Sequence, residues 1–196
     1  MLTESGGIGE KRGTGILVAD RPQGPYRDHS RGPVTPRDWE CLDGTFYQDE
    51  DGQNWLVFCQ EWTEIEDGTL NAVPLSADLT RSIGEPVELV RASSMDWVRP
   101  FHDPRTRQSG YLTDAPCVFR TPAGTLLLLW SSYSNPHTHH GGYTVAVLKS
   151  ETGKMTGPWM GNGNCAAISR TPRTEWSGRG FIRLRYRVSQ LNYQQK

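Results

Sequence analysis

The chain has 196 residues and a mass of 22.0 kDa, with 35% hydrophobic residues, 22% charged residues and a mean hydropathy of -0.61. That composition allows a packed core, and no run approaches the roughly 18–20 apolar residues of a membrane helix. The net charge of -1 hides two unlike parts: residues 1–160 carry 14 basic and 21 acidic side chains, whereas residues 161–196 carry 7 basic ones and Glu175 alone.

An acidic body argues against a nucleic-acid partner, because phosphate binding draws on clustered Lys and Arg. A membrane partner is not expected either. The opening Met1-Leu2-Thr3-Glu4-Ser5-Gly6-Gly7 lacks the apolar stretch of a secretory signal, so the chain as it stands reads as cytoplasmic, with a secreted full-length protein left open. Cys41, Cys59, Cys117 and Cys165 stand singly, without zinc-ligand spacing or the density of a disulfide scaffold. They are expected to be small buried hydrophobes in strands.

Turn residues set the rhythm of the chain, with 21 Gly and 13 Pro separating short stretches rich in β-branched and aromatic residues. No window of helical length carries a 3.6-residue apolar stripe, so the fold class is all-β. In chain order, Gly13 to Asp20 reads as a strand followed by a Gly24-Pro25-Tyr26 turn. Asp43-Gly44-Thr45-Phe46-Tyr47 is a second strand, leading through the acidic turn Asp49-Glu50-Asp51-Gly52 into Trp55-Leu56-Val57-Phe58-Cys59, then into Thr69 to Leu75. The pattern then recurs: Asp114 to Phe119, a turn at Pro122-Ala123-Gly124, Thr125 to Trp130, and Gly142 to Lys149. Gly-Pro-type turns, Gly84-Glu85-Pro86 and Gly157-Pro158-Trp159, are expected to close the units.

This is an internal repeat: Asp43 and Asp114 are 71 residues apart, and the turn glycines Gly52 and Gly124 are 72 apart. Each unit is an antiparallel meander that cannot bury both faces alone, so copies must stack, as in the blades of a β-propeller. A small complete sandwich is the competing architecture. The segment Gly13 to Tyr26 matches Gly141 to Trp159, the end of a unit, so the chain is expected to begin inside a blade. Residues 1–160 are read as a partial propeller domain. Residues 161–196 are a basic tail outside that fold: a frame change in the coding sequence, a poorly ordered end, or an arm for an anionic partner.

Two acids at matching strand starts would converge where first strands line a propeller's channel. Paired carboxylates among tryptophans suit glycosidic bond cleavage, in which one must stay protonated to donate to the leaving oxygen. Equally, both could cap strand-entry turns. Asp49, Glu50 and Asp51 read as a solvated hairpin tip, because they lack the spaced ligands of a calcium loop. His137, His139 and His140 read as an exposed loop with no further ligand at metal spacing, so no metal site is assigned. Trp39, Trp62, Trp97 and Trp130 are candidate sugar platforms, with Glu61 and Arg99 as candidate hydroxyl partners.

The stretch Leu42 to Gly52 resembles a signature of glycoside hydrolase family 43, an Asp leading an aromatic strand into an acidic Gly turn. Thr113-Asp114-Ala115-Pro116, with Thr121-Pro122-Ala123-Gly124 and Leu128-Leu129-Trp130-Ser131-Ser132, is similar to its second signature, usually Glu-Gly-Pro. The resemblance covers roughly residues 13–160 and implies about two and a half blades of a five-bladed propeller. It further implies an inverting hydrolase acting on arabinose- or xylose-containing oligo- or polysaccharides. Asp114 would be the general acid, and Asp43 the carboxylate that tunes the acid's pKa. Calcium is the metal that the full-length family fold could hold.

Asp114 replaces the more usual Glu, and Ala115 the usual Gly. The family's catalytic base is an Asp of the first blade, for which Asp20 and Asp28 are poor substitutes. Glu40, in Trp39-Glu40-Cys41, echoes the acid of the related family 32 and is a competing acid. Weak or no hydrolysis is therefore expected from this chain alone. The alternatives are a non-catalytic carbohydrate-binding propeller fragment and an interaction protein that works through its basic tail.

Overall fold

The computed structural model describes residues 2–5, 10–134 and 142–161. The cluster of His137, His139 and His140, Cys165 and the segment from 162 onward lie outside the described residues. A first antiparallel sheet holds β1 (Leu2–Ser5), β2 (Gly13–Val18) and β3 (Arg27–Asp28). A second runs in the order β4 (Cys41–Gln48), β5 (Asn54–Gln60), β6 (Thr69–Leu75) and β7 (Val87–Arg91). After a small hairpin of β8 (Phe101–His102) and β9 (Ser109–Gly110), a third sheet runs β10 (Asp114–Arg120), β11 (Leu126–Tyr133), β12 (Tyr143–Ser150) and β13 (Trp159–Met160). Helix among the described residues is limited to α1 (Trp62–Ile65) and one 3-10 turn at Ala92–Ser94.

The repeat therefore exists, with one correction to its length. Each full unit has four strands. The turns at Gly84-Glu85-Pro86 and Gly157-Pro158 lead into β7 and β13 instead of closing the unit, just as Gly24-Pro25-Tyr26 leads into β3. The hairpin tips also repeat. Gly52 and Gly124 adopt φ of 81° and 82°, left-handed values at which a side chain is strained. Asp49 Oδ1 accepts the N–H groups of Asp51 (3.1 Å) and Gln53 (2.8 Å), and its Oδ2 accepts the Trp55 indole N–H at 2.9 Å. Thr121, 72 positions on, does the same work, accepting the Thr125 N–H at 3.1 Å. Glu50 pairs with Arg120 at 3.2 Å. The acidic turn is thus a capped hairpin tip.

The middle sheet is covered on both faces, which explains its unbroken apolar run. Leu56 and Phe58 of β5, with Cys41, Val73 and Leu75, pack against Ile16 and Val34 from the first sheet's side. Val57 and Cys59, with Leu70, Ala72 and Val90, pack against Val118, Leu126, Leu128, Trp130, Ala146 and Leu148 of the third sheet. The third sheet keeps a half-open outer face, where Phe119, Tyr143 and Val147 are exposed. Cys41 and Cys59 are buried as expected, but Cys117 lies on that open face and is exposed. Stacked meanders of this kind, two complete and one partial, are the blades of a partial β-propeller.

Candidate active site

Asp43 and Asp114 lie on β4 and β10, the first strands of neighbouring blades. Each of these strands carries a bulge near its start, between Leu42 and Thr45 in β4 and between Asp114 and Cys117 in β10. Bulges re-aim side chains and gather at functional sites. Superposing the bulges pairs Leu42 with Asp114, and Asp43 with Ala115, at the same 72-residue offset as the hairpin glycines. The two acids are therefore not at equivalent points of the repeat. Asp43 and Ala115 share instead a left-handed backbone, with φ of 55° and 46°.

That one-residue slip brings the acids together. The Asp43 carboxylate reaches across to β10, where its Oδ2 accepts the Ala115 N–H at 2.8 Å. Two positions on, the Thr45 hydroxyl donates to the Pro116 carbonyl at 2.8 Å. Asp43 also shares a hydrogen bond with the Asp114 carboxyl. Beneath Asp43, a Cβ on Gly44 would stand 2.5 Å from Thr14 Cγ2, so only glycine lets β2 pack this close.

Burial pushes the Asp114 carboxyl up from the usual carboxylate range to about 7, and the hydrogen bond with Asp43 adds to the rise. The Tyr143 hydroxyl donates to Asp114 Oδ2 and opposes it, while the charges of Asp43 and Glu61 act in the same direction as burial. Tyr143 is itself raised, by burial first and then by Asp114. Proton donation at neutral pH needs a carboxyl placed in this way. Burial pushes the Cys41 thiol up to about 12 and raises Cys59 well above its ordinary value, so both are inert.

An aromatic wall leads away from Asp114. Tyr143 meets Tyr133 edge-on at 5.3 Å, Tyr133 stacks on Phe101 at 4.7 Å, and Phe101 meets Trp62 edge-on at 5.7 Å. Sequence reasoning missed Tyr143, Tyr133 and Phe101, which come from three separate segments and meet only in the fold.

The other expected residues are placed as follows. Trp130 is fully buried and packs on Trp97 at 5.1 Å. Trp62 is 6% exposed, against Phe101 and the backbone of Gly110. A sugar platform needs an open ring face, so burial corrects both assignments. Trp39 is half-buried against the core beside β5. Trp97, also half-buried, lines a cavity of about 290 Å³ with Met95, Trp159 and Met160, to which neither Asp43 nor Asp114 contributes. Arg99 is exposed, and its backbone N–H donates to the Tyr133 carbonyl at 2.8 Å, beside the aromatic wall.

Glu61 is buried and paired with Arg12 at 3.3 Å. Glu40 takes the Arg12 Nε–H at 2.8 Å, which lowers its pKa and holds it as a carboxylate, the wrong state for an acid. Asp20 is solvated beside Arg27, and Asp28 lies exposed on β3, the outermost strand of its sheet. No group of His, Cys, Asp and Glu among the described residues could hold a metal ion.

The sequence matches Glycosyl hydrolases family 43 over residues 1–184, which takes in part of the basic tail. The fold is similar to an endo-arabinase from Bacteroides thetaiotaomicron, with a TM-score of 0.76 and 38% identity over 84% of this chain and 56% of that one. It is similar to a thermostable family-43 glycoside hydrolase, with a TM-score of 0.69 and 17% identity over 86% of this chain and 51% of that one. An α-L-arabinofuranosidase from Clostridium thermocellum aligns with a TM-score of 0.53 and 17% identity, over 90% of this chain and 50% of its own. The chain thus spans about half the length of these solved structures. No curated protein matches it. With a match over nearly all of its sequence, the chain belongs to Glycosyl hydrolases family 43.

Proposed function

We propose that the chain carries the acid half of an inverting glycosidase site for arabinose- or xylose-containing glycans. Asp114 is the general acid that protonates the departing glycosidic oxygen, and Asp43 orients it and keeps its proton in place. The observation that carries this reading is the place of Asp114 beside Asp43, which grips the next residue's N–H, and under the Tyr143 hydroxyl, surroundings whose burial pushes its carboxyl up to about 7. Its 38% identity to an endo-arabinase favours arabinan over xylan as the substrate. Arg99, whose backbone joins Tyr133 of the aromatic wall, is a proposed sugar contact, as are Trp97, in its separate cavity, and Trp39.

Inversion also needs a carboxylate base about 6.5–9.5 Å from the acid, across a water. Asp20 and Asp28, poor substitutes for it by sequence, are both exposed to solvent at the first sheet. The chain is therefore expected to bind arabino-oligosaccharides while releasing little sugar. Calorimetric titration with arabino-oligosaccharides, alongside release from nitrophenyl arabinofuranoside, tests this. Binding with turnover at least about 100-fold below that of an intact acid–base pair is the predicted result. Absence of binding to both arabino- and xylo-oligosaccharides would contradict it. Should binding appear with no turnover, and survive Asp114→Asn unchanged, the chain is a carbohydrate-binding propeller fragment instead.

A further inference from the structure

A cavity of about 290 Å³ opens between the outer edges of the two complete sheets. Ser94, Asp96 and Trp97, from the segment after β7, form one wall, and Ala146 of β12, Trp159 of β13 and Gly161 form the other. The acid pair stands on β4 and β10, the first strands of those sheets. β12 and β13 are two and three strand spacings from β10, about 10–15 Å, so the cavity is a separate place in the fold. Its walls are held firmly. Arg99 donates through Nη1 to the Asp96 carbonyl at 2.7 Å and the Val98 carbonyl at 2.8 Å, which closes the loop that carries Trp97. The Trp97 ring packs on Trp130 at 5.1 Å, and the Trp159 indole N–H donates to the Met155 carbonyl at 3.0 Å.

Two polar groups here lack partners. The Trp130 indole N–H is buried without an acceptor, and Trp130 adjoins two of the lining residues, packing on Trp97 and pairing in register with Ala146. The carboxylate of exposed Asp96 has no hydrogen-bond or ion-pair partner among the described residues. A buried donor without an acceptor calls for an oxygen that the protein does not supply. We propose that this cavity is a second glycan subsite, which holds one neutral sugar ring away from the acid pair. Trp97 has one side spent on Trp130 and lines the cavity with the rest, which offers an aromatic wall to the C–H face of a sugar. The Asp96 carboxylate accepts hydroxyl protons, and its charge repels acidic sugars. A sugar oxygen, directly or through one ordered water, supplies the acceptor that Trp130 lacks. The volume is close to the lower end of ligand sites, about 300 Å³, and suits a single ring. The inference extends the reading of the chain as a glycan binder and does not depend on Asp114 as an acid.

The test is a heteronuclear NMR titration of the full 196-residue chain with arabinotriose and, separately, xylotriose. The indole N–H peaks of Trp97 and Trp130 report on the cavity, and the Ala115 amide, held by Asp43, reports on the acid pair. Both indole peaks are expected to shift saturably with at least one of the sugars. Trp97→Phe, which keeps a ring against Trp130, and Asp96→Ala, at an exposed position, should each weaken that binding by at least about threefold. Indole peaks that stay fixed with both sugars, or an affinity unchanged in either variant, would overturn the proposal. A moving Ala115 amide beside fixed indole peaks would leave the acid-pair reading standing alone. Moving indole peaks beside a fixed amide would count against that reading and uphold this one.

Discussion

Asp43 and Ala115 occupy the same left-handed position of two successive bulges, and the chemistry of the site follows from what stands there. Asp tolerates this backbone better than most residues, whereas Ala bears the full steric cost of roughly 1–2 kcal/mol. Ala115→Gly removes that cost and returns part of it as unfolded-chain entropy. It should raise stability by up to about 1 kcal/mol, seen as a higher thermal midpoint; a lower midpoint would argue against strain at this residue. The hydroxyl of Tyr143 stabilises the ionised form of Asp114. Tyr143→Phe should therefore move the Asp114 midpoint upward, away from the ordinary carboxylate range, and a downward shift in an infrared titration of the protonated-carboxyl band would show that the tyrosine acts in another way.

At the scale of elements, what could be read in advance depended on how local the signal was. β5, β6, β10, β11 and β12 announce themselves through apolar and β-branched runs between turn residues, because each must bury at least one face. β7 and β13 escaped notice as strands: they follow Gly-Pro turns, and β13 has only the two residues Trp159–Met160. The slip between Asp43 and Asp114 was present in the spacings of 71 and 72, yet it gains meaning only once the bulges fix the register. β11 shows the packing rule most plainly, with Leu128 fully buried between blades and Leu127 half-exposed on the open face. Leu128→Ala should cost about 2–5 kcal/mol in chemical denaturation, and Leu127→Ala clearly less. Equal costs would mean that the outer face is as well covered as the inner one.

For the molecule as a whole, the acid pair was legible because the motif around each Asp is contiguous in sequence. Its surroundings were not. Phe101, Tyr133 and Tyr143 are brought to the site by three different segments, and nothing in their own neighbourhoods marks them. The tryptophans misled for the opposite reason, since composition does not distinguish a ring in the core, such as Trp130, from one that faces solvent. The stacked blades create a seam in which β4 and β10 lie side by side, and only there can two carboxyls from separate units share a hydrogen bond. The most direct measurement is the infrared titration of wild type against Asp43→Asn. A protonated carboxyl with a midpoint near 7, absent in Asp114→Asn and shifted toward the ordinary range in Asp43→Asn, is the predicted result. A chain whose carboxyls are all ionised by about pH 5 would contradict it.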